Sequence, residues 1–99
     1  MLEVIKDNEG NLKACIEWLI YNSKGELDEM GDGVFIGELY INPSCRNNGI
    51  LKEFMKIIIN KCKNQDNLKG CFFFRETKYP GRGHRFYTKE RWLKLIGGA

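Results

Sequence analysis

The sequence predicts an α+β domain, a mixed and twisted sheet of about five strands with one main amphipathic helix and one short helix. Three observations carry that expectation. Residues 12–21 and 34–41 are rich in Ile, Val, Tyr, Phe and Trp, the composition of strands. At Ile50 the apolar spacing switches to a helical period, and at Gly70 an aromatic, strand-like run returns. A strand, a helix and a strand in succession form a βαβ unit, whose strands lie parallel with a right-handed crossover.

Each element follows from its residues. Leu2 to Lys6 read as a short strand, stopped by the turn cluster Asp7-Asn8-Glu9-Gly10. Residues 12–21 then pair back as a hairpin, and the Gly-containing, acidic residues 22–33 form a loop. Val34 to Ile41 make a largely buried strand, halted by Asn42-Pro43 because proline brings no amide hydrogen to a ladder. Ile50, Leu51, Phe54, Met55, Ile58 and Cys62 share one helical face, with Lys52, Glu53, Lys56, Asn60 and Lys63 opposite. These give an amphipathic helix of roughly four turns, capped by Asn47 or Asn48. Residues 70–75, with Phe72, Phe73 and Phe74, form a core-packed strand. Lys78 to Gly83 is a basic loop, Arg85 to Arg91 a short helical turn, and Trp92 to Ile96 a final strand.

Ninety-nine residues suffice for a single domain spanning 1–99. The 42% apolar and 29% charged composition excludes wholesale disorder. No apolar run approaches the ~20 residues of a membrane span, and Met1-Leu2-Glu3-Val4 does not open a secretory signal. A soluble, cytoplasmic domain is therefore expected. Cys15, Cys45, Cys62 and Cys71 form no C-x-x-C pair, and with His84 as the single histidine no zinc spacing exists, so no metal site is expected. Reduced thiols are the reading, with Cys15, Cys62 and Cys71 buried and Cys45 more accessible. Charge is unevenly divided. Residues 1–43 carry a net −6 and residues 44–99 a net +9. Either the halves neutralise each other across the fold or the second half meets an anion.

The stretch from Ile41 to Leu51 is the most informative. A buried strand ends, a polar loop containing Gly49 follows, and a strong helix begins. Free amides at a helix N-terminus attract anions, glycine permits close backbone approach, and Arg46 adds a positive charge. The plainer alternative is an ordinary strand-to-helix connection.

Arg46-x-x-Gly49-x-Leu51, following a strand and Asn42-Pro43, resembles the acyl-CoA motif Q/R-x-x-G-x-G/A of the GNAT N-acetyltransferase superfamily. Phe86-Tyr87-Thr88-Lys89 resembles that family's F-Y-x-K segment. The likeness runs in order through 34–96, with residues 1–21 matching the early hairpin, as in a shortened member. Leu51 stands where the family has a small residue. The resemblance implies that Arg46, Asn47, Asn48, Gly49, Ile50 and Leu51 surround the CoA pyrophosphate, and that Leu39, Tyr40 and Ile41 lie along the pantetheine arm. It also implies Tyr87 as the acid for the departing thiolate. Transfer further needs a base for the amine proton. Glu38 is the leading candidate, placed by alternation on one face with Ile36 and Tyr40 among apolar groups that would raise its proton affinity. Glu76 is a second candidate.

The expected activity is acetyl transfer from acetyl-CoA, as cosubstrate, to an amine acceptor, with proteins among the candidate acceptors. An acceptor groove left open by a shortened chain is one that a homodimer would complete. No membrane partner is expected. The rival readings are a catalytically inactive GNAT-like module binding CoA or a protein, and a small basic nucleic-acid-binding domain. Lys78 to Arg85 is either a solvated loop or a contact for the CoA 3′-phosphate or an anionic partner. The acidic residues between Glu26 and Asp32 form a solvated loop or attract a lysine-bearing acceptor.

Overall fold

The computed structural model describes residues 1–46, 49–74 and 84–97. Within these, the chain order is β1 (Leu2–Lys6), β2 (Leu12–Tyr21), β3 (Gly33–Ile41), α1 (Ile50–Lys61), β4 (Gly70–Phe74), β5 (His84–Thr88) and α2 (Lys89–Gly97). One five-stranded sheet follows the same order, β1-β2-β3-β4-β5. Only the β3–β4 pairing is parallel, as a helical crossover between neighbouring strands requires.

Local chemistry explains the first turn and strand ends. The Asp7 carboxylate accepts the amide hydrogens of Glu9 and Asn11 at 2.9 and 2.8 Å, closing the β1–β2 connection. Asn42 does the same after β3, accepting from the Ser44 amide at 3.0 Å, and Pro43 then starts a single 3₁₀ turn.

Alternate residues of the central strands bury one face. Ala14, Ile16, Trp18 and Ile20 of β2, Val34 and Ile36 of β3, and Cys71 of β4 face the helices. Phe54, Met55, Ile58 and Ile59 of α1 complete this core, together with Trp92 of α2. The Trp92 indole donates to the buried Met55 carbonyl at 3.1 Å, tying α2 to α1. Burial pushes the Cys62 and Cys71 thiols up to about 11 and about 12, so both behave as small apolar groups. All four cysteines are free thiols, and Cys15 is half-buried rather than buried because it occupies the alternate position of β2. For the same reason Phe72 is not in the core. It stands exposed on the outer face, while Phe73 packs inward.

The last two elements reverse the expected order. His84 to Thr88 is a strand and Lys89 to Gly97 a helix, where a helical turn and then a strand were expected. Trp92 and Ile96 are one helical turn apart and point to the same core, whereas a strand would also turn Lys94, which is exposed, to that side. Arg85 to Thr88 instead pair with β4, and the Thr88 hydroxyl accepts the Arg91 amide hydrogen at 3.3 Å where α2 begins. Gly70 makes this pairing feasible. A Cβ there would collide with the Tyr87 carbonyl oxygen.

The β1 edge is fastened by Glu3. Its carboxylate accepts from the Lys61 ammonium at 2.8 Å and from the Trp18 indole at 3.0 Å. Partial desolvation pushes this carboxyl up, but the hydrogen bonds from Lys61 and Trp18 outweigh it and hold the group below the usual glutamate value. Such a depressed carboxyl stabilises the fold above its unfolded-state pKa, and the contribution disappears as pH falls through the folded-state value. Glu3→Gln is therefore expected to lower stability at neutral pH by up to about 1 kcal/mol. The gap to the parent protein should close in acid. Thermal melts from neutral to strongly acidic pH check this, and a gap independent of pH contradicts it.

Candidate functional site

A bulge in β3 builds the site. Cross-strand partners run Ala14–Ile41, Cys15–Tyr40, Ile16–Leu39 and Glu17–Glu38, and then Trp18 pairs with Ile36. Gly37 is the extra residue. Because directly opposed residues share a face, the register shift puts Leu39 and Ile41 on the helix side with Ile16 and Ala14. Glu38 and Tyr40 go to the opposite face. Simple alternation put Glu38 beside Ile36, and the bulge overturns that placement. Glu38 is exposed, opposite the equally exposed Glu17.

The β3–β4 ladder stops at the same point, with Ile36 against Phe73. Among the described residues, no strand pairs with Gly37 to Ile41 on the β4 side. The backbone of this segment therefore offers an edge at which an extended chain of amides can pair.

Beyond Ile41 the chain turns through Pro43–Cys45 and enters α1 from Gly49. Gly49 has φ 75°, a left-handed conformation, and is itself the N-cap. The expected asparagine cap is thus replaced by a glycine without a capping side chain, and Asn47 and Asn48 lie outside the described residues. The first helical hydrogen bond is donated by the Glu53 amide to the Gly49 carbonyl at 3.0 Å. The amides of Ile50, Leu51 and Lys52 precede it and have no intrahelical acceptor.

These groups border a cleft of about 740 Å³ between the end of β3, the start of α1 and the last turn of α2. Of the residues expected from the sequence, Leu39, Ile41, Arg46, Gly49, Ile50 and Leu51 all line it. Leu51 is half-buried and also packs against the core. Arg46 is exposed and makes no ion pair with a described residue. The cleft therefore has an apolar wall from Leu39 and Ile41 and a polar mouth of amides with cationic neighbours. Diphosphate esters bearing an apolar or amide-containing arm fit that division of chemistry.

Cys45, Lys52 and Leu95 also line the cleft and were missed. Lys52 is legible as a first-turn cation, although its helical position groups it with the solvated face. Leu95 was hidden by the reading of its segment as a strand. Tyr40 is on the other face, although it belongs to the same strand end. Tyr87 is half-buried on the helix face, in the row Val34–Cys71–Tyr87 and thus two strands from β3. Its ring meets Phe73 edge-on at 5.2 Å, and the Arg91 guanidinium lies 4.6 Å from the ring centroid. Glu76, the Lys78 to Gly83 loop and the side chains of His84 and Arg85 lie outside the description. No group of three or more His, Cys, Asp or Glu among the described residues is placed to hold a metal ion. No helix among them is long and apolar enough to cross a membrane.

Comparison with known proteins reaches the fold. No protein-family model matches the chain, nor does any curated protein sequence. Among solved structures, it is similar to GphF, a GNAT-like decarboxylase in complex with isobutyryl-CoA, with TM-score 0.55 and 13% identity over 80% of this chain and 47% of that one. It is similar also to a protein assigned as a phosphinothricin N-acetyltransferase, with TM-score 0.51 and 18% identity over 98% of this chain and 52% of that one. The chain thus spans about half the length of these structures. Its mixed sheet and two helices are a GNAT-like fold.

The left-handed Gly49 sets a stability test within the site. No atom lies within 4 Å of a Cβ added there, so Gly49→Ala meets only backbone strain. The expected loss is about 1–2 kcal/mol, measured by denaturant unfolding, and an unchanged midpoint contradicts the assigned φ.

Proposed function

We propose that the chain binds acetyl-CoA in the cleft at the start of α1 and is a GNAT-type N-acyltransferase that passes the acyl group to an amine. One observation carries this reading. The free amides of Ile50 to Lys52, the Arg46 cation and the unpaired edge of β3 meet at one cleft. The isobutyryl-CoA complex of the GNAT-like decarboxylase supports acyl-CoA as the substrate class.

In this reading the α1 amides, with Arg46 and Lys52, hold the diphosphate, and Asn47 and Asn48 complete its surround. Leu39 and Ile41 pack on the pantetheine arm, whose amides pair with the open backbone of β3, Tyr40 included. The bulge opens β3 to both faces, so an amine approaches from the side opposite the helices, where Glu38 accepts its proton. Tyr87 returns a proton to the leaving thiolate. Proteins are among the acceptors, a homodimer whose interface lies outside Phe72 and Phe86 completes the acceptor side, and the cytoplasm is the compartment consistent with acetyl-CoA as cosubstrate.

A binding-only role is the second reading, favoured by the distance of Tyr87 from β3. Calorimetry with acetyl-CoA tests the part shared by both, with micromolar affinity expected, about −8 kcal/mol. Gly49→Glu should abolish that binding, since it adds a carboxylate at the anion site, and retained affinity contradicts the assignment. Thiol release with candidate amines then separates the two readings. Tyr87→Phe should leave acetyl-CoA affinity unchanged and slow transfer by about tenfold or more; an unaltered rate removes Tyr87 from the mechanism.

A further inference from the structure

The sheet face away from the helices carries exposed apolar side chains, with Glu17 and Glu38 at its middle and Lys6 and Lys13 at the far end of β1 and β2. Leu2, Val4, Tyr40, Phe72 and Phe86 are exposed there, and neither helix packs on it. Exposed aromatic rings of this size mark interaction surfaces more often than exposed single aliphatic residues do. At its lower end a depression of about 600 Å³ is walled by Tyr21, Phe35, Phe72 and Phe86. The rings of Phe72 and Phe86 lie 4.6 Å apart and remain 44% and 42% exposed. Asp32 and Lys69, paired at 3.2 Å, stand on the rim.

Acidic groups flank this depression. Glu17 and Glu38 are direct cross-strand partners on the same face, exposed, and neither has an ion pair among the described residues. Like charges so placed repel, and a cation laid over both relieves the cost. The adjoining loop 22–32 carries four carboxylates, of which Glu29 pairs with Lys63 and Asp32 with Lys69. Phe35 faces Leu19 and Glu38 faces Glu17, two residues apart on β2, a span of about 7 Å that residues i and i+2 of an extended segment match.

We propose that this face docks a basic polypeptide segment of a partner protein, with an aliphatic or aromatic side chain seated between Phe35, Phe72 and Phe86 and a lysine or arginine over Glu17 and Glu38. Apolar burial supplies affinity, and the carboxylate pair selects the sign of charge. The inference needs no acyl-CoA and stands whether or not transfer occurs.

The test is fluorescence anisotropy on the chain without acyl-CoA, using a labelled synthetic Lys/Leu peptide of repeating Lys-Ser-Leu-Ser, whose Lys and Leu share one face when extended, with Glu/Leu and Lys/Ser counterparts in which Glu replaces Lys or Ser replaces Leu. The Lys/Leu peptide should bind at least about tenfold more tightly than either control, and its affinity should fall with added salt. Glu17→Lys should weaken it about fivefold or more, and the milder Glu17→Gln should act in the same direction. Phe86→Ser should weaken it about tenfold, with thermal melts confirming that each variant is folded. Equal binding of the Glu/Leu peptide, indifference to Glu17→Lys, or no binding of any peptide overturns the proposal. So does sedimentation showing that the chain alone self-associates in a manner abolished by Phe86→Ser, which assigns the face to a second copy.

Discussion

One extra residue in β3 shapes both the cleft beside α1 and the sheet face opposite it. Gly37 breaks the pairing with β2 between Trp18 and Glu17, and it coincides with the last paired residues of β3 and β4. A regular strand would have put Glu38 and Tyr40 on the helix side with Val34 and Ile36. The bulge instead re-aims the strand's end, so Leu39 and Ile41 wall a cleft while Glu38 and Tyr40 face the other way. Sheet continuity is thereby exchanged for an open backbone edge next to a helix N-terminus.

That edge would count for little if α1 were capped in the ordinary way. A side chain on the first amides would satisfy them and leave nothing for an anion. With Gly49 as the N-cap, the residue supplies a left-handed turn and no competing acceptor. The core underneath makes this arrangement affordable, since Phe54, Met55, Ile58 and Ile59 anchor the helix by burial rather than by its terminus. Trp92 closes the far side by donating to the Met55 carbonyl, which brings Leu95 of α2 to the cleft.

The two faces of the sheet then divide the work. The helix face is a packed core with a cleft at one end, and the other face presents aromatic rings and carboxylates that have no ion pair among the described residues. The charge division along the chain, acidic before residue 44 and basic after it, follows this geometry in part. Glu17 and Glu38 lie on the open side, whereas Arg46 and Lys52 stand at the cleft.

Local pattern alone determined the strands at Leu2, Leu12 and Val34, the helix beginning at Ile50, the strand at Gly70 and the parallel crossover between the two strands. In those segments apolar period and turn residues agree with the final packing. It determined too that Arg46, Gly49 and Ile50 belong together, because they are neighbours in one loop and its helix. Tertiary structure decided the rest. The segment from His84 to Ile96 is short and carries both patterns, and only pairing with β4 and burial of Trp92 against α1 settle which part is strand and which is helix. Likewise, nothing in the residues around Gly37 announces a bulge. Which face Glu38 and Tyr40 take depends on register against β2, a property of two strands that neither holds by itself.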